Sequence, residues 1–155
     1  MKITQTQMRW ISNLVWLVGL ISLDRISKAW ILKSSGCIYL TPFLSFELAF
    51  NRGIAWGIFH TASNIGFILV TLAVSSMIGL IGWYAYQQVQ KGRLAAEELL
   101  ILAGATSNLI DRLIFSGVID FIALHWGDWY FPIFNLADVY IVLGVFWVLF
   151  THYEK

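Results

Sequence analysis

This sequence has little charge. Only 12% of its 155 residues are Asp, Glu, Lys or Arg, about half the share of an ordinary soluble domain. A hydrophobic share of 59% and a mean hydropathy of +0.73 suit a single domain by length but not a water-soluble one. Cysteine occurs once, at Cys37, which excludes an internal disulfide and a paired-cysteine site. The net charge is +1, with no basic block, so nucleic acid is not an expected partner. The three histidines, His60, His125 and His152, are scattered without ligand spacing. Neither a metal nor a cofactor is expected.

What the chain does have is long apolar runs. The first covers residues 10–32 and is interrupted by Asp24, Arg25 and Lys28. It follows a basic start, but no small-residue cleavage pattern follows it, so a retained helix is expected rather than a removed leader. The second, 62–85, carries no charge and is long enough for about 30 Å of hydrocarbon. The third and fourth cover 95–115 and 134–150. The expectation is an all-α membrane protein with four transmembrane helices, forming one integral-membrane domain over residues 1–155. Lys2, Arg9, Lys91, Arg93 and Lys155 fall on the side of the two termini, which the positive-inside rule makes cytoplasmic. The connections 33–61 and 116–133 then face outward. Trp10, Trp83, Trp126 and Trp129 lie near span ends, as an interfacial aromatic belt requires. In the first connection, Ile38-Tyr39-Leu40 and Ser45 to Phe50 are rich in β-formers, which predicts short strands and a small outward-facing β cradle. Asn51-Arg52-Gly53 reads as a turn, with Gly53 free of Cβ restraint.

Polar residues concentrate on the stretch 108–138, which holds Asp111, Asp120, Asp128 and Asp138, four of nine acidic residues. A carboxylate in or against a bilayer costs about 2.5–3.5 kcal/mol on insertion scales, so such groups point to function. Asp128, in His125-Trp126-Gly127-Asp128, reads as a solvated turn acid. Asp24 and Lys28 share a helix face at i, i+4, either as a neutralising pair near the membrane edge or as a contact for the outward connection or a lipid headgroup. Gly104, Asn108 and Asp111 lie at i, i+4 and i+7, with Arg112 next. That stripe must face the bundle interior and reads as support. Asp120 and Asp138, with Asn135 three residues before the latter, flank a connection that can fold back and bring them together. Two carboxylates held close share a proton, so one acts as base and the other as acid. A proton relay through Asp24, Asp111 and Asp138 in a small transporter, or a structural subunit without chemistry, are the alternatives the residues leave open.

At these positions the chain resembles the lipoprotein signal peptidase (signal peptidase II) family. Asp24-Arg25-Ile26-Ser27-Lys28, Asn51-Arg52-Gly53-Ile54-Ala55-Trp56-Gly57, Asn108-Leu109-Ile110-Asp111-Arg112, Val118-Ile119-Asp120-Phe121 and Phe134-Asn135-Leu136-Ala137-Asp138 match five family motifs in order. The departures are Ala103 and Ser107 at two usual glycines, Trp56 for Phe, and Val139-Tyr140 after Asp138. The resemblance implies a bacterial inner-membrane aspartic endopeptidase with both termini cytoplasmic. It cuts diacylglyceryl-modified prolipoproteins just before the lipidated Cys, near the outer face. Asp120 and Asp138 would be the dyad, titrating as a unit. Asp24, Lys28, Asn51, Arg52, Gly53, Gly104, Asn108, Asp111, Arg112, Asn135 and Ala137 would bind or support. Expected partners are the prolipoprotein and membrane lipids, and a monomer is expected.

Overall fold

The structure, a computed structural model, describes residues 4–53, 64–93 and 95–153. Ile54, Ala55, Trp56 and Gly57 of the second motif lie outside these residues, as do Lys2, His60, Lys155 and the first two positions of the second expected span. The elements in chain order are α1 (Gln5–Ile31), β1 (Ile38–Thr41), β2 (Leu44–Asn51), α2 (Asn64–Gln90), α3 (Ala96–Phe115), β3 (Val118–Trp126), β4 (Trp129–Tyr130) and α4 (Leu136–Tyr153). Each helix returns antiparallel to the last. All four strands lie in the two connections at one end of the bundle, and the chain termini lie at the other.

Local chemistry sets the ends. The Thr4 hydroxyl accepts from the Gln7 N–H at 3.2 Å, and the Gln7 side chain accepts from the Thr4 N–H at 2.8 Å. This capping box satisfies donors that an apolar surrounding would leave unpaired. Twenty-seven residues carry α1 about 40 Å. At the other end of α3, Ser116 adopts a left-handed conformation (φ 55°) that stops the helix and turns the chain into β3.

The sheet order is β1-β2-β3-β4, with all pairs antiparallel. β1 and β2 fall where the sequence predicted strands. β3 and β4 lie in the connection 116–133, where no strand was predicted. Val118, Ile119, Asp120, Phe121 and Ala123 are all buried, so β3 is covered on both faces and lacks the alternation that marks a half-exposed strand. β2 carries an irregularity between Phe46 and Ala49, after which Ala49 pairs with Asp120. Beyond β4 the chain returns to β3. The Phe134 carbonyl accepts from the N–H groups of Phe121 and Ile122 at 3.0 and 2.8 Å, and the Phe134 N–H donates to Ile122 at 3.1 Å. These bonds fix the entry into α4 against the strand that carries Asp120.

The helices are polar inside and apolar outside. α1 buries Asn13, Asp24, Lys28 and Ile31 while exposing Leu14, Val15, Trp16, Leu23 and Ile26. That inverts the pattern of a protein packed against water. Among the described residues, α2 is the one helix long and apolar enough to cross a membrane by composition, and Leu136–Thr151 is a shorter apolar segment. The four helices expected are therefore present, but α1 and α3 fall short on composition. Asn13, Asp24 and Lys28 in α1, and Glu98, Asn108, Asp111 and Arg112 in α3, lower their hydropathy, and every one of these groups is buried. α3 and α4 approach closely at small residues. A Cβ on Gly104 would collide with the Ala137 carbonyl, and one on Gly144 would lie 2.6 Å from the Ile101 side chain, as close helix contacts in a membrane favour.

Candidate active site

The site forms where α1, α3 and α4 meet the underside of β3. Asp120 projects from β3, whose flanking Ile119 and Phe121 pack with Ile31 of α1. Asp138 lies in the first turn of α4. Asn135 stands between them. Its amide nitrogen donates to Asp120 Oδ1 at 2.6 Å, and its backbone N–H donates to Asp138 Oδ2 at 3.3 Å. The Asp138 N–H donates in return to Asn135 Oδ1 at 2.9 Å. Asn135 and Asp138 thus exchange bonds across the start of α4 in the reciprocal manner of a capping box. One residue holds both carboxylates.

Asn108 supplies the second tether, its amide nitrogen donating to Asp138 Oδ1 at 2.9 Å. Its Oδ1 accepts from the Lys28 ammonium at 2.8 Å and from Asn135 at 3.2 Å. Beneath lies a buried charge cluster. Lys28 pairs with Asp24 at 2.7 Å and with Asp111 at 2.8 Å, and all three side chains are inaccessible. Asp24 also accepts from the Ser107 hydroxyl at 2.6 Å and from the Ala137 N–H at 3.0 Å. Asp111 is bonded by the Arg25 guanidinium and accepts from the Ile119 N–H at 3.2 Å.

The lipid-headgroup reading of Asp24 and Lys28 is corrected here. Both are buried inside the bundle, and their partners are protein groups. Asp111 pairs with Lys28 and Arg25. Its neighbour Arg112 points to the Gly53 carbonyl instead. Asn51 turns the chain by accepting from the Gly53 N–H at 2.9 Å. Arg52 bonds Asn64 at 3.0 Å and lies over the Phe67 ring, 5.4 Å from its centroid, so it sits at the rim. Gly104 and Ala137 provide the close α3–α4 contact below the site. Asp128 is exposed in the β3–β4 turn beside Gly127 (φ 58°), apart from the site. Arg25 and Ser107 were not singled out as site residues in the sequence. Arg25 finds its carboxylate 86 positions away, and Ser107 reads there only as a small residue in a packing position.

Burial drives the Asp120 carboxyl up to about 7, and the negative charge of Asp138 adds to the rise. Hydrogen bonds from Asn51 and Asn135 and the charge of Lys28 oppose it. Near neutral pH this acid therefore retains a proton in a substantial fraction of molecules. A neutral carboxyl and a second carboxylate bridged by one amide can deliver and remove protons in the same event. Among the described residues no cluster of His, Cys, Asp and Glu could hold a metal ion.

A family model described as Signal peptidase (SPase) II matches residues 16–153. The chain belongs to the signal peptidase II family. Similar relatives include the lipoprotein signal peptidase of Nitrobacter hamburgensis, 37% identical over 157 residues with 93% of each chain covered. The protein of the same name from Clostridium novyi is 38% identical over 136 residues, covering 84% of this chain and 89% of its own. A solved bacterial membrane enzyme, determined by the in meso method, superposes with a TM-score of 0.74 at 25% identity, over 92% of this chain and 88% of that one. As a signal peptidase II family member the chain is an aspartic peptidase embedded in a membrane. The matched span contains the whole network from Asp24 to Asp138.

Asp111→Asn removes the carboxylate shared by two cations, leaving Lys28 paired with Asp24 alone and taking from Arg25 the carboxylate it bonds. Breaking a buried ion pair costs on the order of 3 kcal/mol. The expected result is a large fall in thermal stability in detergent with a smaller fall in turnover of the surviving fold. Abolished turnover with unchanged stability would assign Asp111 to the chemistry instead.

Asp120 also ties stability to pH. Its folded value, about 7, lies above the ordinary 3.8, so the folded state binds more protons and stability falls as pH rises between these values. Asp120→Asn lacks this titration. The variant should unfold at a higher temperature than the parent at pH 8, with the gap, about 4 kcal/mol at most, closing towards pH 4. A pH-independent gap would mean that Asp120 is not held protonated.

Proposed function

We propose that Asp120 and Asp138 are the catalytic dyad of this signal peptidase II, and that it removes the signal peptide from diacylglyceryl-modified prolipoproteins. The observation that carries the reading is the Asn135 side chain and backbone holding both carboxylates at once, one of them kept near a pKa of about 7. In the proposed reaction the ionised carboxylate takes a proton from water, and the resulting hydroxide attacks the carbonyl carbon before the lipidated Cys. The protonated carboxyl donates to the carbonyl oxygen. The tetrahedral intermediate then collapses as the amine leaves with a proton, and the dyad returns to its singly protonated state. Asn108 and Asn135 orient the carboxylates. Asn51, Arg52 and Arg112 line the approach from the sheet. No cofactor enters the scheme.

In this reading all four helices span the bacterial inner membrane, and the chain acts as a single-domain monomer. The buried charges of α1 and α3 cancel within the bundle, so apolar faces meet lipid despite the low hydropathy of those helices. The sheet lies at the outer surface, where a lipid-anchored substrate presents its cleavage site, and both termini are cytoplasmic.

The test of chemistry is purified protein in detergent, given a diacylglyceryl-modified prolipoprotein, with product size followed on a gel. Cleavage is expected from the parent, and a loss of at least 100-fold from Asp120→Asn and from Asp138→Asn, each remaining folded. Near-parental turnover by either variant would break the dyad. Topology is tested with Gln90→Cys and Asp128→Cys, made singly in a Cys37→Ser background. A membrane-impermeant thiol reagent applied to spheroplasts should label position 128 and leave position 90 unlabelled. The reverse pattern would put the dyad on the cytoplasmic side and rule out this substrate.

A further inference from the structure

At the end of the bundle away from the sheet, α1, α3 and α4 do not close on one another. They leave a cavity of about 260 Å³, lined chiefly by Asn13, Trp16 and Leu20 of α1, Ala96 and Leu100 of α3, and Trp147 of α4. Asn13 lies 11 positions before Asp24, about 16 Å along the helix, so the cavity is separate from the dyad. Its volume is below the usual 300–1,000 Å³ of a small-molecule pocket, and its wall is apolar apart from Ser12 and Asn13.

Asn13 is the anomaly. Only 6% of the residue is exposed, and its amide nitrogen is buried with no partner. An orphaned buried donor costs roughly 1–3 kcal/mol, and an apolar side chain there would avoid that cost. Asn13 lines the cavity, so the unpartnered donor belongs to a side chain of the cavity wall. Arg9 stands four residues earlier on the same face of α1, about 6 Å nearer the helix end. Its guanidinium already bonds the Gly92 carbonyl in the α2–α3 turn. Arg93 is exposed close by in the same turn.

We propose that this cavity binds one glycerophospholipid. One acyl chain fills the apolar slot between Trp16, Leu100 and Trp147. An ester carbonyl accepts from the Asn13 amide. The phosphodiester lies one helical turn out, against Arg9 and Arg93. The order apolar slot, amide donor, cation repeats the order of groups along such a lipid, at matching spacing. The inference rests on the membrane-spanning reading of α1, α3 and α4, but on no assignment within the dyad.

The test uses delipidated full-length protein in detergent. Phosphatidylglycerol is titrated against it, with native mass spectrometry for stoichiometry and thermal unfolding as a second readout. One saturable lipid per chain is expected, with a rise in unfolding temperature. Asn13→Leu removes the donor and should weaken binding at least fivefold. Ala96→Phe fills the slot and should abolish the saturable site, and the two variants together guard against one that fails to fold. Oleate and glycerol 3-phosphate should each compete at least tenfold less well than the intact lipid. Absence of saturable binding, unchanged binding in both variants, or equal competition by oleate would overturn the proposal. Prolipoprotein cleavage, measured on the same samples, reports on the dyad independently, so loss of one reading leaves the other standing.

Discussion

The Lys28 ammonium is the group on which the arrangement of this protein depends. It is buried completely, and an isolated cation there would be untenable. Asp24, one turn earlier on its own helix, and Asp111 on α3 surround it, and Arg25 balances the second carboxylate. Two positive and two negative charges thus close on one another and tie α1 to α3. Lysine can only donate. Its bond to Asn108 Oδ1 therefore fixes which way that amide faces, and the Asn108 nitrogen is left to face Asp138. In the same way the Asp138 N–H occupies Asn135 Oδ1, so the Asn135 nitrogen faces Asp120. One path of donors runs from the buried lysine through Asn108, the Asp138 N–H and the Asn135 amide to Asp120, and Asn135 also donates back to Asn108 and Asp138.

The start of α4 meets a second need with the same residues. A helix leaves its first N–H groups unpaired, and where they are buried they need protein partners. Asp24 reaches from α1 to the Ala137 N–H, and Asn135 takes the Asp138 N–H. The bonds that terminate the helix are therefore the bonds that aim its acid. Gly104 lets α3 come near enough for this, because any side chain there would strike the Ala137 carbonyl. Small residues, a cap and an ion cluster make one junction.

The legible parts of the sequence were those governed by local spacing. The i, i+4 relation of Asp24 and Lys28 and the stripe of Gly104, Asn108 and Asp111 gave the correct faces. The β-rich residues around Tyr39 and Phe46 gave the first two strands. β3 was hidden because a strand buried on both sides carries no alternation, and an acid in an apolar run looks the same in a strand or a loop. Arg25 was hidden for another reason. Its neighbours in sequence say nothing of a partner on α3, and only the packing of the two helices brings Asp111 to it. The pairing of Asp24 with Lys28 was visible in their spacing, while the third and fourth charges that surround them, on Asp111 and Arg25, were not.

The two acids of the proposed dyad stand on different kinds of element, and that difference gives them different surroundings. Asp120 lies on a strand covered on both faces, where burial and the nearby charge of Asp138 favour the neutral form. Asp138 lies in the first turn of α4, where the helix presents its positive end and two N–H groups, from Asn108 and Asn135, point at its oxygens. The two carboxyls thus differ in their surroundings, while in the proposed reaction they share one proton as a unit. A dyad built on two equivalent elements would have to break that symmetry with the substrate. Here the strand and the helix make the surroundings unequal before a substrate arrives, with Asp120 held by the Asn135 side chain and Asp138 held at the start of α4.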